Sequence, residues 1–296
     1  MTLGGLGFGS LLFDGGIQRA EAKTQARAAY TPPGMQANLP EEAGRLERAS
    51  FTQRGKFDLA SPSGRRLARL KTIGSLDGQP SYMAYVTRHI WCAPNRPAVP
   101  LMNELELLTT FLERPPADEN KNGNTFLHRL IVTRVPVDPE TLAPITSVKI
   151  PGGPPIQLVD TVFAMTLKLD MSPDAAPEPL LQHDRAHYEL GEDTAFTMFD
   201  ARSGEGPHQP RVDMSIWTVK TADLMSPAVG ALRSSYSFTA IMRANVFGWT
   251  ELPSDDQTQV LRQKIGVKTP EFDSLPQSVK MHIVEAYPAR HQLTLH

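Results

Sequence analysis

Proline divides this chain into short lengths. Clusters at Pro32-Pro33, Pro94 to Pro100, Pro115-Pro116, Pro136 to Pro155 and Pro173 to Pro179 fall between apolar segments. With 26 prolines in 296 residues, the content is close to twice the usual ~5%. Each proline fixes φ and removes a backbone donor, so every cluster interrupts helices and sheet ladders. A chain punctuated this way has few long helices and many extended connections.

Between the clusters, apolar and polar residues alternate with a period of two, as half-buried strands require. Leu158 to Asp170 is the clearest case, with Val159, Thr161, Phe163, Met165, Leu167 and Leu169 on one face. Ser81 to Trp91, Phe126 to Val137, Val212 to Lys220 and Tyr236 to Trp249 read as strands too, carrying the β-branched and aromatic residues that strands favour. Three helices are predicted. Leu101 to Glu113 places Leu101, Leu105, Leu108 and Leu112 on one stripe ahead of Pro115. Asp255 to Ile265 lies between a capping Ser254 and Gly266, and Pro276 to Ala286 opens on a proline. The alanine-rich stretch Ile17 to Tyr30 adds a short helix near the start.

The expected fold class is therefore α+β and β-dominated: a mixed or antiparallel sheet core, a few short helices, long proline-rich loops and an extended N-terminal arm. Residues 1–40 form the arm and 41–296 the main β-rich domain, with 204–210 as the place where a second lobe would begin. The arm alternates glycines with apolar anchors, among them Leu6, Phe8, Leu12 and Phe13. Such a segment gains little unless it docks on something.

Charge and cysteine content narrow the function. There are 30 basic and 32 acidic side chains, a net charge of −2, so no excess drives nucleic-acid binding. The densest basic cluster, Arg65, Arg66, Arg69 and Lys71, is expected to be a solvated surface stretch. Cys92 is the single cysteine, which excludes an intrachain disulfide and a cysteine-rich zinc site and suggests a small buried thiol. No apolar run reaches the ~20 residues of a membrane span. No basic residue precedes Arg19, unlike a secretory signal. Synthesis in the cytoplasm is expected, with a virion or other large particle as a final location.

The chemical motifs fail on specific residues. The phosphate-binding loop, nucleophile elbow, CxxC and HExxH patterns are absent. Gly5-x-Gly7-x-x-Ser10 lacks the third glycine of a dinucleotide fingerprint. Asp118 to Gly123 copies the first half of a calcium loop, but the twelfth position is Arg129 where a bidentate glutamate is needed. A polar turn is expected there instead. Glu104 to Leu112, followed by Asn122-Gly-Asn-Thr-Phe-Leu-His128, resembles the junction between two ankyrin repeats. No second copy exists, and a lone repeat cannot bury its faces.

His183 and His187 are the one candidate for metal chemistry. On a helix they would share a face near Glu189, Glu192 and Asp193 and could offer nitrogen and oxygen ligands to a divalent ion. Proline and glycine on either side suggest an exposed loop, so no metal, cofactor or catalytic residue is assigned.

The leading expectation is a non-enzymatic structural subunit of a multi-copy complex, such as a capsid, tail or connector protein of a phage or virus. It would contact copies of itself and other subunits through its arm and extended loops. The alternatives are a metal-dependent enzyme built around His183 and His187, or a protein-binding adaptor.

Overall fold

The computed structural model describes residues 29–30, 58–120, 123–150, 154–177, 186–202, 212–243 and 259–286. The strands are β1 (Ala29–Tyr30), β2 (Ser81–Cys92), β3 (Val99–Glu113), β4 (Thr125–Val137), β5 (Ser147–Lys149), β6 (Pro155–Gln157) and β7 (Asp160–Asp170). They continue as β8 (His187–Leu190), β9 (Thr194–Arg202), β10 (Val212–Lys220), β11 (Ser234–Arg243) and β12 (Gln259–Thr269). The helices are α1 (Pro62–Ile73), α2 (Thr221–Met225) and α3 (Gln277–Val279), the last continuing as a π-helical turn over Lys280–Val284. The arm anchors Leu6, Phe8, Leu12 and Phe13 lie outside the described residues, as do His183 and the 204–210 segment.

The protein is a β-dominated α+β fold. Ten strands form one sheet in the order β1-β7-β4-β3-β2-β12-β11-β10-β9-β8, and β5 and β6 make a separate hairpin. Neighbours run antiparallel except for the short parallel contact of β1 with β7. β9 and β10 pair from Thr194–Lys220 to Arg202–Val212, on either side of the undescribed 203–211 segment.

Helix α1 organises the inner face. Ser61 caps it by accepting from the Gly64 amide at 3.0 Å, Pro62 occupies its first turn, and it ends at Gly74. Gly64 is obligatory, because a Cβ there would lie 1.9 Å from the Asp58 carbonyl oxygen. One side of the helix packs Leu70 against Leu112, Phe126 and Leu169 of β3, β4 and β7. Its Ala68 packs with Ala195 and Val219 of β9 and β10. Strands far apart in the sheet order thus meet one short helix, so the sheet curls around it. A second cluster, Trp91, Met102, Ala240 and Val260 with Ile150, Ile156 and Leu158, fills the other end of the inner face under the β5–β6 hairpin.

The outer face is covered unevenly. Over β2, β3 and β4 it is sealed by Leu275, Val279, Ile283 and Val284, which pack on Tyr82, Leu105, Leu107, Val135 and Val137. The Phe272 ring meets Tyr82 edge-on at 5.4 Å. Over β12 to β9, Ile265, Val267, Met214 and Phe196 remain exposed.

Three predicted features are corrected. Leu101 to Glu113 is the strand β3, not a helix, because it is buried on both faces. Its leucines divide between them: Leu105 packs outward against α3, while Leu112 packs inward against α1. Asp255 to Ile265 is not a helix either; from Gln259 onward it is β12, and Gly266 lies inside that strand. The basic cluster is not a solvated stretch, since Arg66, Arg69 and Lys71 are buried in α1. Cys92 is half-buried at the end of β2.

Candidate functional site

The inner face between the two apolar plugs carries charge. Glu104 and Glu106 alternate along β3 and point inward, where Thr87 faces Glu104 and Tyr85 faces Glu106 on β2, and Arg134 faces Glu106 on β4. One strand further, Arg262 and Lys264 of β12 stand opposite His89 and Thr87. The i, i+2 spacing of the two glutamates and of the two cations brings all four to one face.

Glu106 is the hub. Its Oε2 accepts from Lys264 Nζ at 2.7 Å and from Arg134 Nε at 3.1 Å, and its Oε1 accepts from the Thr87 hydroxyl. Arg262 Nη2 lies 3.6 Å from both Glu104 and Glu106. Burial alone would raise the Glu106 pKa, but Lys264, Arg134 and Arg262 outweigh it and hold the carboxyl far below its ordinary range. Burial lowers the Lys264 pKa, Glu106 opposes that, and Arg262 and Arg134 add to it, leaving the ammonium at about 7. His89 is lowered by burial despite Glu104, so the neutral ring donates from Nε2 to Glu104 Oε2 at 2.7 Å. Aromatic rings line this network: Lys264 Nζ is 5.7 Å from the centroids of both Tyr85 and Phe238.

The cations of α1 have a different chemistry. Arg66 donates to the carbonyls of Asp170 at 2.5 Å and Ala176 at 2.8 Å. Lys71 Nζ donates to three carbonyls, Asp223, Leu224 and Ser226, at 2.6 to 2.8 Å. These carbonyls lie at the end of α2 and in its turn, so a buried lysine acts as their cap. Lys268 Nζ donates to the Lys71 carbonyl at 3.0 Å, and burial brings its pKa down to about 7. Arg69 differs from all of these. Its Nε and Nη1 are buried without a hydrogen-bond partner, and its guanidinium carbon lies 5.2 Å from the Trp217 ring centroid.

Of the two metal candidates, His183 lies outside the described residues. His187 opens β8 with an exposed side chain whose Nε2 is 3.4 Å from the exposed Glu189. No group of three or more metal-ligating side chains gathers among the described residues. Arg129, at the last position of the calcium-like loop, is committed to Glu113 at 3.0 Å with both side chains buried.

The charged network was missed by sequence reasoning because its signal depends on strand assignment. On a helix Glu104 and Glu106 would fall on opposite sides, and they share a face only once β3 is recognised as a strand. Arg262-x-Lys264 is its complement, and is equally silent while that segment is read as helical.

A second feature lies on the outer face. Beside exposed Ile265 runs a groove of about 620 Å³ lined by Leu105, Leu142, Val267 and Val279, with Asn103 and Ser278 in its wall. Asn103 Oδ1 and Ser278 Oγ are buried there without partners.

No protein-family model and no curated protein matches the chain. Among solved structures, a LolA superfamily protein, NE2245 from Nitrosomonas europaea, aligns over 73% of this chain and 96% of its own, at 11% identity and a TM-score of 0.16. A superposition at that score carries no argument about the present fold.

Proposed function

We propose that the chain is a non-enzymatic subunit of a multi-copy assembly, of the kind a virion particle contains, and that it docks on further copies of itself through the outer face of β9 to β12. The carrying observation is the exposure of large apolar side chains in strands interior to the sheet. Ile265 is 68% exposed and Val267, Met214 and Phe196 are each above 40%. Large apolar side chains left exposed on strands interior to a sheet are a feature of protein interaction sites.

Two properties favour a second copy as the occupant. The same face offers both a groove beside Ile265 and protruding side chains at Phe196 and Met214, so one copy carries both halves of a knob-and-groove contact. The net charge of −2 on 296 residues leaves little repulsion to keep copies apart. The buried groups fit the same reading, since Glu106, Arg134, Lys264, Arg66 and Lys71 are occupied in holding the curled sheet together. Hydrogen exchange at low and high protein concentration tests it. Protection that rises with concentration in β9 to β12, and not in β3 and β4, supports the face; protection that does not change overturns it.

A further inference from the structure

We infer that the outer-face groove binds a single-chain alkyl carboxylate, its head held by Arg88 and its chain laid along β2 and β12. The groove has a volume of about 620 Å³, within the ~300–1,000 Å³ of small-molecule pockets. Its floor is three strands in register. Arg88 on β2 is opposed by Gln263 on β12 and by Asn103 on β3. Two residues back, Val86 is opposed by Ile265 and Leu105, and two further back Ala84 is opposed by Val267. One end of the floor is therefore a polar row and the remainder is apolar. Leu142 of the β4–β5 loop and Pro276 and Val279 of the α3 segment supply apolar walls.

The polar row is open to a ligand. Arg88 is exposed, and its guanidinium makes no hydrogen bond or ion pair among the described residues. The amides flanking it are equally uncommitted, and each can turn an N–H toward an anion. Asn103 Oδ1 has no partner to lose in that turn. A guanidinium between two amides offers the fork that a carboxylate matches with charge-assisted bonds.

The remaining floor sets the body of the ligand. Arg88 and Ala84 are four residues apart on an extended strand, ~13 Å, about the reach of a ten-carbon chain. Such a chain would cover Ile265 and Val267, two of the most exposed apolar side chains of the molecule. Glu140, on the β4–β5 loop, is the single carboxylate among the lining residues, and it forms no ion pair with Arg88. It disfavours an anion from the loop side, so its neutralisation should tighten binding. This site goes beyond the self-association reading, although a ligand and a neighbouring copy would compete for the groove.

Calorimetric titration with hexanoate, decanoate and decyltrimethylammonium, below micelle formation and at constant ionic strength, tests the assignment. It is run on the intact chain and on Phe196→Ser, which removes a protruding ring that a neighbouring copy would insert. The expected result is saturable 1:1 binding of decanoate, with hexanoate roughly tenfold weaker for its missing methylenes and the alkyl cation inert. Arg88→Gln should weaken decanoate about tenfold and Glu140→Gln should strengthen it, both at exposed positions where the fold is retained. No saturable decanoate binding, equal affinity for hexanoate or the cation, full affinity in Arg88→Gln, or weakening by Glu140→Gln would overturn the site. The two readings fail separately. A monomeric parent with decanoate bound to Phe196→Ser sinks self-association alone, and an assembling parent without decanoate binding to Phe196→Ser sinks this site alone.

Discussion

Arg69 and Trp217 face each other across the helix–sheet interface, the guanidinium carbon 5.2 Å from the ring centroid, and among the described residues no carboxylate completes the pair. Three residues earlier on the same helix, Arg66 is saturated by the carbonyls of Asp170 and Ala176. These two arginines are equally buried and should respond oppositely to truncation. Arg66→Met leaves two carbonyls unpaired and should lose ~2–4 kcal/mol. Arg69→Met sacrifices only a ring contact of ~1–2 kcal/mol while relieving the burial of a charge, so its stability should stay within about 1 kcal/mol of the parent. Urea denaturation of the two variants checks the contrast.

Removing the hub of the inner network should be costly. Glu106 accepts from Lys264 at 2.7 Å and from Arg134 at 3.1 Å with both oxygens buried. Glu106→Gln keeps the shape but leaves these cations without their counter-charge, and a loss of ~3–5 kcal/mol is expected. The double variant Glu106→Gln with Lys264→Met should recover part of it, because one stranded cation is then gone. A double-mutant cycle measured by denaturant titration reads the coupling.

Stability should rise with pH above neutrality. Burial brings Lys264 and Lys268 down to about 7, against an ordinary lysine value of 10.5. Between about pH 7 and 10.5 the unfolded chain therefore binds more protons at these lysines than the folded one. Unfolding free energy then increases with pH, by up to ~1.4 kcal/mol per unit for each lysine. Below about pH 7 both states are protonated and the slope from these groups vanishes. Lys268→Met should remove about one proton's share of the slope, measured by denaturant midpoints at pH 7, 8 and 9. An unchanged slope would contradict the burial of its ammonium.

Gly266 gives a steric test of the curled sheet. A Cβ there would lie 2.2 Å from the Tyr85 ring and 2.3 Å from the Ala84 carbonyl oxygen. The missing side chain lets Tyr85 lie across β12 and meet Tyr236 at 4.9 Å between centroids. Gly266→Ala should destabilise by ~2 kcal/mol or more, since the neighbours include backbone that cannot step aside. Near-ultraviolet circular dichroism should report the displaced tyrosine pair.

The same glycine shows where sequence reading stops. Gly266 after a periodic segment looks like a helix stop, yet in β12 it is the space a tyrosine from β2 requires. No local signal distinguishes the two, because the tyrosine is supplied by a distant strand. Leu101 to Glu113 failed for a related reason. A strand buried on both faces shows no alternation, and its leucines happen to fall at helical spacing. Strands rich in β-branched and aromatic residues were legible: β2, β4, β7 and β10 lie within two residues of their predicted limits. The basic cluster on α1 misled because its partners are backbone carbonyls, which leave no trace in composition. Of the inner-face residues, Glu104, Glu106, Arg262 and Lys264 carry an i, i+2 complementarity that becomes visible once both segments are read as strands.

Self-association through the outer face is the central claim, and sedimentation velocity of the intact chain beside Ile265→Asp and Phe196→Ser tests it most directly. Both positions are exposed, so thermal midpoints should stay close to the parent. The parent should sediment as a concentration-dependent multimer, and each substitution should shift the population toward a species of 32.6 kDa. A parent that is monomeric at every concentration, or variants that assemble as fully as the parent, would contradict it.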